Sequence, residues 1–283
     1  MKLQPKIKML LVILIAGLVL LIAGTSIYMY PVYKFFFRSE IQQPDKELTL
    51  IFGGGGNSGV LVTEQAVVVI DTKMGSDADD LFKLVKEKAG AKKIVVINTH
   101  YHGDHVKGNH LYKGSPVYTG NYDRSFLQKE VDPDDIPDHF VNDSLALELG
   151  SETVMLYDLG QAHTWHDLVV YLKNRKILFS GDLIFNHDSP VLKKESGADV
   201  DKWIAVLDRI LKMPDVQQIV PGHGVIGGKE MAESLKTYFT DMQMAAKDPS
   251  RVSELTKKYA DWMVLPMMAS PQKTIDYITH PRK

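Results

Sequence analysis

The chain has 283 residues, 45% hydrophobic and 24% charged, which is long enough for one large globular domain with a substantial core. A formal net charge of -2 provides no overall basic field, so nucleic acid is not expected as a partner. The absence of cysteine excludes disulfides, thiolate metal ligands and cysteine nucleophiles.

The N-terminal segment, residues 1–33, predicts a membrane anchor. Lys2, Lys6 and Lys8 precede an uncharged run, Met9 to Tyr33, which opens with the aliphatic stretch MLLVILIAGLVLLIAG. About 20 helical residues cross the hydrocarbon of a bilayer, so this run is long enough to span. The lysines ahead of it predict an inside N-terminus and a domain outside the cytoplasm, in a bacterial periplasm or at a cell surface. A cleaved signal, which would give a secreted protein, is the alternative.

A polar segment, residues 34–46, is predicted to be a linker, and residues 47–283 are predicted to form one domain. In that domain, runs rich in β-branched residues alternate with helical spacing, which predicts the α/β class. The predicted strands are 47–52, 59–63, 66–71, 92–97, 116–119, 145–149, 152–157, 168–172, 176–179 and 217–220. The predicted helices are 77–88, 200–212 and 229–247.

A histidine-rich segment follows the strand KKIVVI and contains His100, His102, Asp104 and His105. Residues two apart in an extended segment lie on one side, so His100 and His102 are expected to face the same point. Gly103 permits a turn, after which Asp104 and His105 can reach a second point a short distance away. Imidazole and carboxylate together suit zinc, and also iron or manganese, so the segment predicts a metal site.

Further candidate ligands follow or end later strand patterns. LGQAHTWHDL contains His163 and His166, LFSGDLIF contains Asp182, and VPGHG contains His223. Strand ends are where α/β architectures place their ligand sites. We therefore expect these side chains to converge with the histidine-rich segment at one edge of a sheet.

These segments, in this order, resemble the metallo-β-lactamase superfamily, and the resemblance runs from Glu47 to the helix after His223. It implies a four-layer αββα sandwich with the metals at one edge of two facing sheets. Within HTWH, the small residues of GQAHT match the family's turn and favour His163 over His166 as the ligand. The resemblance implies a first metal held by His100, His102 and His163, and a second held by Asp104, His105 and His223, with Asp182 bridging both.

The implied activity is hydrolysis by a water activated between two divalent ions, most simply Zn²⁺, with iron or manganese as alternatives. Asp104 and Asp182 would be the catalytic carboxylates, because each has a second oxygen that can orient this water or accept its proton. The expected substrate is a small ester, thioester, lactone or amide. Aspartate at 182 differs from the thiolate of the cysteine-using β-lactamases. β-Lactam hydrolysis, iron-dependent persulfide oxidation and metal binding without turnover remain alternatives.

Two smaller features carry expectations of their own. The segment GGGGNSG lacks the lysine and threonine of a phosphate-binding loop, and it predicts a flexible hairpin near the metal cleft. His187 lies five residues beyond Asp182 and is expected to be exposed to solvent, with a place in the cleft as the alternative.

Overall fold

The computed structural model describes residues 5–37, 39–265 and 268–280, and within the first range it describes the side chains of residues 14–30, 32 and 33. Helix α1 (Pro5–Phe37) is 33 residues long, and its described apolar side chains are exposed except that of Val32, which is half-buried. Among the residues so described, no helix combines the length and the apolar character needed to cross a membrane. The anchor predicted over residues 1–33 is therefore not confirmed, and part of it lies outside the described residues.

Two β-sheets form the body of the protein. In the first sheet seven strands follow one another in chain order: β1 (Ser39–Gln42), β2 (Leu48–Gly53), β3 (Ser58–Val62), β4 (Ala66–Ile70), β5 (Lys93–Ile97), β6 (Val117–Gly120) and β7 (His139–Val141). The second sheet has the order β12-β11-β10-β9-β8, made of β8 (Ser144–Glu148), β9 (Thr153–Asp158), β10 (Leu168–Leu172), β11 (Ile177–Phe185) and β12 (Gln218–His223). Strands β4 to β7 are parallel, as are β11 and β12.

Helices cover the outer faces of both sheets and connect their strands. They are α2 (Gly75–Ala89), α3 (Gly103–Val106), α4 (Arg124–Glu130), α5 (Val200–Lys212), α6 (Glu230–Lys247), α7 (Val252–Lys257) and α8 (Pro271–Thr279). Asp199 caps the N-terminus of helix α5, because its carboxylate accepts a hydrogen bond from the backbone N–H of Lys202. Its buried face carries Trp203 and Leu207, as the helical spacing predicts.

Three hydrophobic cores separate four layers. The core between the sheets joins side chains such as Leu50 and Val68 of the first sheet to Val170 and Phe179 of the second. A second core packs α2 on the outer face of the first sheet, and a third packs α5 and α6 on the outer face of the second. The predicted αββα sandwich is thus confirmed. Strands β4, β5, β11 and β12 bring their carboxyl ends, and the segments after them, to one edge of it.

The structure corrects two details of the predicted elements. Residues 39–42, inside the predicted linker, form strand β1, which pairs antiparallel with β2. Three of its four residues are exposed, so its sequence lacks the apolar pattern of a buried strand, and backbone pairing alone makes it a strand. The strand predicted over 176–179 continues through Asp182 to Phe185. It contains an irregularity at Gly181, where φ is 51° and the register with β12 shifts.

Candidate metal centre

The histidine-rich segment leaves the end of β5 in extended form and then turns into the short helix α3. His102 lies at the N-terminus of α3 with extended backbone angles, while Asp104 and His105 lie within the helix. This change from strand-like to helical backbone directs the four side chains to two neighbouring points. It confirms the turn expected at Gly103.

The first group of candidate ligands consists of His100, His102, His163 and Asp182. Nε2 of His100 lies 3.1 Å from Nδ1 of His102, and Nε2 of His163 lies 3.0 Å from the same atom. Oδ2 of Asp182 is 3.3 Å from Nε2 of His163 and 3.8 Å from Nε2 of His100. Three imidazoles and one carboxylate oxygen therefore converge on one point.

The second group consists of Asp104, His105 and His223. Oδ2 of Asp104 is 3.7 Å from Nε2 of His105 and 3.4 Å from Nε2 of His223. The other oxygen of Asp182, Oδ1, is 3.2 Å from Nε2 of His105 and 3.3 Å from Nε2 of His223. Asp182 therefore faces one group with each of its two oxygens.

The spacing and chemistry of these atoms fit two divalent ions. A tetrahedral zinc with bonds of about 2.0–2.1 Å to nitrogen and oxygen has ligand atoms about 3.3 Å apart, close to the separations in both groups. Among the described residues, Nε2 of His105 and Oδ1 of Asp182 are buried without a hydrogen-bond partner. Such buried polar atoms are costly unless something satisfies them, and a cation between them would do so.

Neighbouring side chains orient several of the imidazoles. The carboxylate of Asp71 accepts a hydrogen bond from Nδ1 of His105 at 2.9 Å, which leaves Nε2 to face the second group. Ser196 contacts Nε2 of His102 at 2.9 Å, so His102 faces the first group with Nδ1. Sequence reasoning did not identify Asp71 or Ser196 as site residues. Asp71 had a signal, since it ends the strand pattern AVVVID at the same sheet edge, but Ser196 lies in an irregular loop without one.

The electrostatics of the two groups differ. Burial lowers the pKa of His102 to about 3, and it holds the pKa of His100 well below its ordinary value, so both imidazoles are neutral. Burial also opposes charge on His223, but the carboxylates of Asp182 and Asp104 outweigh it and raise the His223 pKa to about 9. Against the effect of its own burial, Asp182 has a pKa well below the usual range, because His223, His105 and His100 favour the carboxylate.

The glycine-rich turn between β2 and β3 packs directly on the second group. A Cβ on Gly55 would lie 2.9 Å from Cβ of Asp104, and one on Gly56 would lie 2.6 Å from Nε2 of His105. The side chain of Asn57 donates hydrogen bonds to the carbonyls of Pro221 and Gly224, on either side of His223. The predicted proximity to the metal cleft is confirmed, although residues 54–57 are buried rather than exposed as in an open hairpin.

A cavity of about 540 Å³ opens beside His223. It is lined by Glu40, Phe52, Gly53, Gly55, Asn57, Asn186, His187, Asp188, His223, Gly224, Val225, Asp261 and Met263. His187 is exposed, as expected, and also lines this cavity. His166 lies outside both candidate groups and pairs with Asp158 at 2.8 Å, consistent with the preference for His163.

Fold and site together define a metal-binding αββα protein, and comparisons with known proteins agree. The family profile described as the metallo-beta-lactamase superfamily matches residues 51–223, more than half of the chain. The chain is 29% identical over 184 residues to a metallo-beta-lactamase type 2 of Bacteroides fragilis, covering 64% of this chain and 73% of that relative. It is 30% identical over 175 residues to one of Elizabethkingia meningoseptica, covering 59% and 68%.

Among solved structures, a metallo-beta-lactamase from Pontibacter korlensis superposes with a TM-score of 0.63. The match covers 72% of this chain and 99% of the other at 22% sequence identity, so it bears on the fold alone. The profile match shows that the chain belongs to the metallo-beta-lactamase superfamily, and the two curated relatives support a hydrolase of that class.

Proposed function

We propose that this protein hydrolyses an ester, thioester, lactone or amide with two divalent metal ions, most simply Zn²⁺. The observation that carries the proposal is the position of Asp182 between the two ligand groups. One of its oxygens lies 3.3 Å from His163, and the other lies 3.3 Å from His223. A carboxylate so placed could be a ligand to one cation in each group, as a two-metal hydrolytic site requires.

The candidate residues would have two roles, as metal ligands and as acceptor of a proton from the attacking water. His100, His102 and His163 would hold the first ion, and the second would be held by Asp104, His105 and His223, with Asp182 bridging. Two bound ions supply a water of lowered pKa and an electrophile for the substrate oxygen. Asp104 would also orient the water and accept its proton, because it faces the ligand nitrogens of its group through Oδ2, whereas both oxygens of Asp182 face ligand nitrogens.

The cavity beside His223 is the proposed substrate site. Its volume of about 540 Å³ is within the range of small-molecule pockets, about 300–1,000 Å³. It opens onto the second group through His223 itself, so a carbonyl bound there would lie next to the metal ligands. We propose a small molecule as substrate, and no nucleic acid.

β-Lactam hydrolysis is the second candidate, because both curated relatives described above are named metallo-beta-lactamase type 2. Hydrolysis of a strained amide requires the same two-metal chemistry as hydrolysis of an ester or thioester. The chain contains no cysteine, so it cannot use the thiolate ligand of the cysteine-using β-lactamases. We therefore place β-lactams after esters, thioesters and lactones in the order of testing.

We also propose that α1 anchors the protein to a membrane, with the catalytic domain outside the cytoplasm. Support comes from the uncharged run Met9 to Tyr33 and from the exposed apolar side chains of residues 14–22 on α1. Alkaline extraction of membranes tests the anchor, and the intact mass of the purified protein tests cleavage. A soluble product of shortened mass would contradict the anchor and favour a secreted protein.

The experiment for the main proposal is elemental analysis of the purified full chain, followed by a substrate panel of esters, thioesters, lactones, β-lactams and phosphodiesters. We expect about two zinc ions per chain and turnover of one carbonyl class. One iron per chain with no hydrolysis would favour oxidation, and bound metal without turnover of any kind would favour a binding module. Absence of metal would contradict the site itself.

A further inference from the structure

Lys73 is a buried cation next to the second ligand group that the proposed hydrolysis does not use. Its side chain has no solvent exposure, and it is among the largest fully buried side chains of the described residues. Nζ of Lys73 donates hydrogen bonds to the carbonyl of Gly53 at 2.5 Å and to that of Gly56 at 2.7 Å. The backbone of Lys73 has a φ of 62°, a conformation that non-glycine residues keep only when their surroundings enforce it.

Both carbonyls belong to the glycine-rich turn between β2 and β3, so Lys73 holds the two sides of that turn from within. This glycine-rich turn restricts the second ligand group, because Gly55 lies against Asp104 and Gly56 lies against the ring of His105. Asn57 connects the turn to the loop of His223, since its backbone N–H also donates to the carbonyl of Gly222 at 2.7 Å. The side chains of Asp104 and His105, and the loop that carries His223, therefore border a turn that Lys73 secures.

The segment that carries Lys73 contacts the second group from a different side as well. Asp71 orients His105 through Nδ1, and the backbone N–H of Thr72 donates to the carbonyl of His105 at 2.8 Å. Three consecutive residues thus contact this part of the site: Asp71 and Thr72 contact the candidate ligand His105, and Lys73 contacts the glycine-rich turn that covers it. The first group contacts neither Lys73 nor the glycine-rich turn in any of these interactions.

We propose that Lys73 is a positioning residue for the second metal site, acting through the glycine-rich turn. This inference rests on the proposed two-metal function. Without the ammonium group, two carbonyls would remain buried with no donor from Lys73, and the turn would move to satisfy them elsewhere. Movement of the turn would release Asp104 and His105 from their present positions. Residues that support metal ligands from outside typically change metal affinity by about 10- to 100-fold.

The test is a metal titration of the full chain and of K73M, with Zn²⁺ against a chromophoric chelator and with Co²⁺ followed by its visible absorption. Methionine fills a similar volume but cannot donate to the carbonyls. The matched control is K92M, because Nζ of Lys92 also donates to a loop carbonyl, that of Thr63 at 2.6 Å. Lys92 precedes β5, at the opposite end from the histidine-rich segment.

For K73M we expect a second ion bound about 10- to 100-fold more weakly, a first ion bound as in the unaltered protein, and a changed Co²⁺ spectrum for the second site alone. For K92M we expect unaltered affinities at both sites. Equal weakening of both sites in K73M, or no weakening, overturns the inference. If the unaltered protein binds no metal, the proposed function fails instead, and the two failures are thereby distinguished.

Two further variants keep the test decisive if K73M does not fold. K73Q keeps an NH₂ donor group, but its side chain is shorter and cannot reach both carbonyls, so it should show the same selective loss. G55A changes the turn without altering Lys73, since its new Cβ would press on Cβ of Asp104 from a residue with a φ of 87°. Unaltered second-site affinity in K73Q would contradict the role of Lys73, and unaltered affinity in G55A would contradict the role of the turn.

Discussion

Asp71→Asn provides a sharp test of how the second ligand group is organised. The Asp71 carboxylate accepts three hydrogen bonds, from the backbone N–H and the hydroxyl of Thr99, each at 2.8 Å, and from Nδ1 of His105 at 2.9 Å. Asparagine keeps the acceptor for the backbone of Thr99. It places an amide N–H₂ where Oδ2 was, so that a donor now faces the donors of Thr99 and His105.

The expected magnitude follows from the lost hydrogen bond. A hydrogen bond to a charged group is worth about 1.5–3 kcal/mol, and each 1.4 kcal/mol is a tenfold change in an equilibrium constant. If that energy orients His105 for its metal, Asp71→Asn should weaken the second ion by about 10- to 100-fold, in line with other carboxylate–histidine–metal arrangements. The first ion should be weakened less, because Asp71 reaches that group only indirectly, through the hydroxyl of Thr99, which lies 3.2 Å from Nδ1 of His100.

The assay is competitive metal titration with a chromophoric chelator, with thermal unfolding of the metal-free protein as the check on folding. Asp135→Asn is the matched control, because buried Asp135 pairs with Nδ1 of His110 at 2.9 Å, a carboxylate–histidine pair outside both ligand groups. Asp135→Asn should leave both affinities unaltered. An Asp71→Asn protein that folds and binds both ions normally would contradict this role of Asp71, as would equal weakening of the two sites.

Four other predictions follow from the same structure. Asp182→Asn removes the charge between the two ligand groups and should abolish metal-dependent turnover, as should His102→Ala. Elemental analysis measures the bound metal and steady-state kinetics measure turnover, and full activity in either variant would contradict the proposed site. Dialysis against a chelator should remove activity while leaving the far-ultraviolet circular dichroism unchanged, because three apolar cores hold the sheets, and added Zn²⁺ should restore turnover. Trp203→Ala should cost about 3–5 kcal/mol in urea unfolding, since the indole is fully buried and donates to the carbonyl of Leu183; a cost below about 1 kcal/mol would count against this packing. Burial lowers the pKa of Lys73 to about 8, whereas the unfolded chain keeps its ordinary value near 10.5, so the unfolded state binds more protons between these pH values. The free energy of unfolding of the unaltered protein, relative to that of Lys73→Met, should therefore rise by up to about 3 kcal/mol between pH 8 and 10.5. If the unfolding free energies of the two proteins changed in parallel with pH, the pKa of Lys73 would not be shifted.

Most of the regular structure could be predicted from the sequence, because buried strands and amphipathic helices differ in the spacing of their apolar residues. Strands β4 and β5 and helix α5 lie within a few residues of their predicted ranges. The two strands that were missed lack that signal. Strand β1 is an exposed edge strand, and β7 has only three residues, so in both cases neighbouring strands rather than local pattern determine the conformation.

Residue types and their order along the chain were enough to indicate which residues could bind metal, because ligand chemistry belongs to the residue type and the order of strands brings their ends to one edge. His100, His102 and Asp104 could be named on that basis alone. The folded chain was needed to show which nitrogen each imidazole presents, that Asp182 turns one oxygen to each group, and that Lys73 secures the glycine-rich turn. These features depend on contacts between residues far apart in the chain, such as Ser196 with His102, and local sequence contains no information on such contacts.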